Sequence, residues 1–152
     1  MKTINKQPEN MGGVIRMWAI PPNDIQVSGN EAIIISNAEM VDIYTQAESA
    51  VFNEELGTAF AGQSYKVDIT AVVPCDNKDT QLLIAEMERR SKYLVIYQDG
   101  NERYKLAGTE QVPLRFGAKQ TTGQGASALN HYQISFAGQQ RNRAVFIENP
   151  FV

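Results

Sequence analysis

"KYLVIYQDGNERYKLAGT", Lys92 to Thr109, is the stretch whose reading decides the fold. Two runs rich in aromatic and branched residues flank Asp99-Gly100, a pair suited to the tight backbone of a hairpin. The pattern predicts two antiparallel strands turning at Asp99-Gly100. A chain that begins its clearest local signal this way builds sheets, and its neighbours are read against that expectation.

Upstream lies the one convincing helix, "DNKDTQLLIAEMERRSK". Asp76 or Asp79 offers an N-cap, with Arg89, Arg90 and Lys92 near the far end, as the helix dipole favours. Leu83, Ile84 and Met87 form an apolar stripe at helical spacing, which reads as packing on a sheet. The spacing predicts a helix near residues 78 to 91. Before it, "SYKVDITAVVP" alternates. Tyr65, Val67, Ile69, Ala71 and Val73 fall on one face, and Lys66, Asp68 and Thr70 on the other, the signature of a half-buried antiparallel strand. "GVIRMWAI", "EAIIISN" and "AVFNEEL" are further strand candidates, whereas "MVDIYTQ" fits either a strand or a short helical turn. "PPND" is turn chemistry.

Downstream, "VPLRFGA", "NHYQISFAG" and "RAVFI" continue the strand pattern. The whole amounts to roughly eight to ten strands and one helix. The expected fold is mainly β (α+β): an antiparallel β-sandwich or partly open barrel with one flanking α-helix. Residues 1–12 read as a flexible polar arm and residues 13–152 as a single β-rich domain.

Between the last strands runs a soft segment of Gly, Ser, Thr, Ala and Gln. Gln120, Thr121, Thr122, Gly123, Gln124, Gly125, Ala126, Ser127 and Ala128 hold almost nothing to bury, and loops that long are usually functional or disordered. One reading is a tolerated surface loop. The other is an interaction loop that orders against a second chain, for instance by adding to a sheet edge.

A search for chemistry finds little. Net charge is −3, so no broad basic field points to nucleic acid, and Arg141 with Arg143 is the nearest approach to a basic cluster. No apolar run approaches the roughly 20 residues of a membrane-spanning helix, and the N-terminus shows no secretory signal. Those features, with a lone cysteine, suit synthesis in the cytoplasm. Cys75 and His131 are each the only residue of their type. A nucleophile–base pair between them has no support from spacing, and a zinc site lacks ligands. "DNKDTQ" fails as a calcium loop because Gln81 stands where Gly is needed. "GAKQTTGQG" lacks the phosphate-loop pattern. Trp18 reads as core, and Tyr93, Tyr97, Tyr104 and Tyr132 as cross-strand packing. The expectation is a non-enzymatic protein with no cofactor, working through its surfaces.

"LVIYQDGNERYKLAGTEQVPLRF" followed by "TTGQGASALNHYQISFAGQQRNRAVFI", with a looser match at "VIRMWAIPPND", resembles small virion structural proteins encoded by prophage-like elements of gut bacteria. The resemblance implies a tail- or neck-associated building block, a sandwich with one flanking helix, made in the cytoplasm and placed in the virion. Its implied partners are other copies of itself or other virion proteins, with no nucleic-acid specificity and no membrane. The alternatives that keep the fold are a monomeric ligand- or peptide-binding domain and an enzyme of unknown class.

Overall fold

The computed structural model describes residues 1–4, 10–74, 76–125 and 130–151. In chain order the strands are β1 (Val14–Ile20), β2 (Ile25–Ser28), β3 (Glu31–Ile34), β4 (Val41–Ile43), β5 (Val51–Ala59) and β6 (Gly62–Val73). The helix α1 (Lys78–Arg90) leads into β7 (Lys92–Asp99), β8 (Tyr104–Ala107), β9 (Leu114–Thr121), β10 (His131–Gln140) and β11 (Val145–Ile147). All pairings are antiparallel, and the chain builds the expected mainly β fold, an antiparallel β-sandwich or partly open barrel with one flanking helix.

β7 organises the fold. It pairs with β1 along one edge and with β8, then β9, along the other. Its residues Tyr93 to Tyr97 are all buried. Tyr93, Val95 and Tyr97 face the main core, while Leu94 and Ile96 face a second core of Trp18, Ile20, Ile25, Leu106 and Ile147. A strand buried on both faces needs an unbroken apolar run, and "YLVIY" supplies one.

From β7 the sheet continues through β9, β10 and β6 to β5 and curls back on itself. The rings of Phe52 on β5 and Tyr97 on β7 stand 4.8 Å apart, although three strands lie between them in the sheet. The Val14 N–H donates to the Ala50 carbonyl at 3.2 Å, so one backbone bond nearly closes the barrel between β1 and β5. Phe136, Ile69, Val67, Met17 and Leu114 fill the interior. The hairpin β2–β3 lies over the outer face of β1 and β7 and makes a third layer.

Details differ from the sequence pattern in physically simple ways. The cap of α1 is Asn77 rather than Asp76 or Asp79, because the Asn77 side chain accepts from the Thr80 N–H at 2.9 Å. Ile84 and Met87 are buried, but Leu83 stays partly exposed, lining a cleft beside the helix. "MVDIYTQ" resolves as the short strand β4. At the β7–β8 turn the left-handed residue is Glu102 (φ 61°) and not Gly100, making a longer turn held by the Asp99 carboxylate.

Candidate interaction surface

The long hairpin β5–β6 reaches beyond the body of the protein. β10 supports β6 only as far as Tyr65, which pairs with Gln140. Past that point Gly57 to Ser64 pair only with each other. The remaining ribbon, about 13 Å long at the usual strand rise, is two-stranded, and such hairpins are marginal alone in water. At its tip sits the two-residue turn Phe60-Ala61, with the Phe60 side chain fully exposed and Leu56 half-exposed. A large aromatic ring at a hairpin tip breaks the usual preference for Asn-Gly or similar residues. Broken local rules of that kind mark functional sites.

The base of the arm is firmly fixed. The Glu54 carboxylate accepts from Arg143 Nη1 at 3.0 Å and from the Ala144 N–H at 2.7 Å, while the Arg143 guanidinium lies 4.7 Å from the centre of the Tyr65 ring. The body therefore holds the arm in a definite direction, and only the tip stands free of support.

A cleft opens between α1 and β4. Val41, Ile43, Tyr44, Leu83, Met87 and Phe116 are among its lining residues, and its volume is about 260 Å³. Among the described residues its single charged liner, Asp42, is bound by Arg16 at 3.0 Å. Tyr44 at the rim is largely exposed.

The predicted loop is placed in part. Gln120 and Thr121 belong to β9, paired with Tyr132 and His131. Composition suggests a loop from Gln120 onward, but backbone pairing does not require apolar side chains, and β9 extends into the start of the soft segment. Thr122, Gly123, Gln124 and Gly125 are exposed, and Gly123 (φ 68°) and Gly125 (φ 82°) take left-handed backbone that favours glycine. Ala126, Ser127 and Ala128 lie outside the described residues, as does Cys75, so the Cys75–His131 geometry is not defined. Residues 10–12 lie against the β7–β8 turn: Asn101 accepts from the Met11 N–H at 2.9 Å and donates to Asn10 and to the Met11 carbonyl.

Burial pushes the Tyr97 phenol well above its ordinary value, with Glu54 and Asp99 adding to the effect. Burial raises Tyr93 as well, against the opposing pull of Arg90. Both are core rings packed against Phe52 or against Phe116 and Phe136, so these shifts report burial rather than reactivity. Among the described residues, no cluster of three His, Cys, Asp or Glu side chains is arranged to hold a metal, and no helix is long and apolar enough to cross a membrane. Comparison with protein-family models, curated proteins and solved structures finds no match.

The sequence pattern does not reveal the arm. Its one signal is compositional: Leu56 to Tyr65 is a run without a single charge, bracketed by Glu55 and Lys66. An uncharged run at an exposed hairpin end favours contact with another surface over solvation.

Proposed function

We propose that this chain is a non-enzymatic virion structural protein of phage or prophage origin, tail- or neck-associated, that acts by self-assembly. The observation that carries the reading is the β5–β6 arm, an unsupported ribbon ending in a fully exposed Phe60. A monomer gains nothing from such an arm, since exposed aromatic surface promotes association and aggregation. The sequence resemblance supports the same reading. In it, the Gln120–Ala128 segment is a second contact that orders against a neighbouring subunit. The protein is then made in the cytoplasm and ends in the virion.

The test is sedimentation and negative-stain electron microscopy of the purified chain over a wide concentration range. Rings, tubes or discrete oligomers are expected. A chain that stays monomeric up to millimolar concentration removes the reading. The cleft between α1 and β4 favours a second reading, a monomeric ligand- or peptide-binding domain. That reading predicts a monomer throughout, with small apolar molecules bound stoichiometrically.

A further inference from the structure

Arm and cleft sit at opposite ends of one strand. β6 begins at Gly62, beside the arm tip, and ends at Val73, which lines the cleft. Twelve residues of extended chain put the two roughly 35 Å apart. The arm is held at its base by Glu54 and Arg143, so it cannot fold back into the cleft of its own molecule. We infer that the Phe60 arm of one copy inserts into the α1–β4 cleft of a second copy. The inference rests on the self-assembly reading above and names its contact.

Charge fits this occupant. The tip from Leu56 to Tyr65 is uncharged, and the one charged residue of the cleft is already paired with Arg16. Neutral surface therefore meets neutral surface, and no charge is desolvated without a partner. A strongly charged segment would find nothing in the cleft to balance it. Size fits as well. At about 260 Å³ the cleft has room for a large side chain, and it falls just short of the volumes typical of drug-sized ligands, which start at about 300 Å³. β4 pairs with β1 only among the described strands, so its far edge, at the cleft, can also bond to the backbone of an incoming strand.

The geometry sets the kind of assembly. One aromatic ring buries about 150–250 Å², well short of the roughly 800 Å² per partner of a stable pair. A donor surface at one end and an acceptor at the other make a head-to-tail contact, which closes into a ring or continues as a filament. Every copy then gives one arm and receives one, and the pair gains persistence through closure.

Two measurements test this. Phe60→Ala changes an exposed tip and should leave the melting temperature unchanged, while self-association measured by sedimentation weakens about tenfold or more. In a Cys75→Ser background, Phe60→Cys chains are mixed with Leu83→Cys chains under mild oxidation. The mixed disulfide dimer should form faster than either homodimer. Unchanged assembly with Phe60→Ala, or homodimers that outpace the mixed product, overturns the arm-in-cleft contact and leaves the self-assembly reading standing. A native chain that never self-associates overturns both. Assembly impaired by Leu83→Arg but not by Phe60→Ala means that the cleft takes a different occupant and rejects the inference.

Discussion

Gly100 lies directly against Met11: a Cβ added to Gly100 would stand 2.8 Å from the Met11 Cβ and 2.8 Å from its carbonyl oxygen. The glycine of the β7–β8 turn is therefore needed for the close passage of the N-terminal segment, since its φ is not positive. Gly100→Ala should destabilise the protein by about 1–3 kcal/mol, the usual cost of overpacking. Deleting residues 1–12 should abolish most of that penalty. Denaturant melts of the four combinations measure the coupling, and additive effects would show that the close approach has no energetic role.

Glu54 answers two donors at once, Arg143 and the Ala144 N–H, and its side chain is only 7% exposed. Glu54→Ala leaves the Ala144 N–H without its partner, which should cost about 1–3 kcal/mol. Glu54→Gln keeps one acceptor oxygen and should cost less. Equal losses for both variants, read by urea unfolding, would point to the charge rather than the backbone bond.

Ser91 ends α1 in left-handed backbone (φ 60°), with its N–H bonded to the Met87 carbonyl at 2.8 Å. Glycine takes that conformation without strain, so Ser91→Gly should stabilise by about 1 kcal/mol. At the other end, Asn77→Ala should cost about 1 kcal/mol through loss of the cap. Thermal melts of the two single variants should move in opposite directions.

Tyr97 and Tyr93 are held neutral by burial, above the ordinary phenol value of 10.0. The unfolded chain releases these protons near that value and the folded chain does so only above it. The stability they contribute is therefore complete below pH about 10 and is lost as pH rises beyond it. Unfolding midpoints should fall as pH rises above about 10, and Tyr97→Phe should flatten the fall. An absorbance titration in which every tyrosine ionises near pH 10 while the protein remains folded would contradict this.

What the residues reveal in advance follows from which forces act locally. The β7–β8 hairpin, α1 and the alternating face of β6 are legible because periodicity and turn chemistry are short-range. The hairpin β2–β3 carries its own signal in Gly29-Asn30, but the preceding prolines obscure the strand Ile25–Ser28. The sequence offers Asp76 or Asp79 as the cap, and only the reach of a side chain to Thr80 selects Asn77 instead. The turn of the arm defies local reading, because Phe60-Ala61 is poor turn chemistry held by nine paired positions between β5 and β6. The cleft joins residues from β4, β6, α1, β9 and β10, and no window of sequence contains it.

The arm and the cleft also differ in when they can exist. Both strands of the arm are synthesised by residue 73, although β10 and Arg143, which hold its base, follow later. The cleft needs Phe116 and Ile134, which emerge later by more than 40 and 60 residues. At translation rates of about 5–20 residues per second, Phe60 is synthesised seconds before the residues that complete the cleft of the same chain. Under the proposed contact, the receiving subunit must therefore be a finished one.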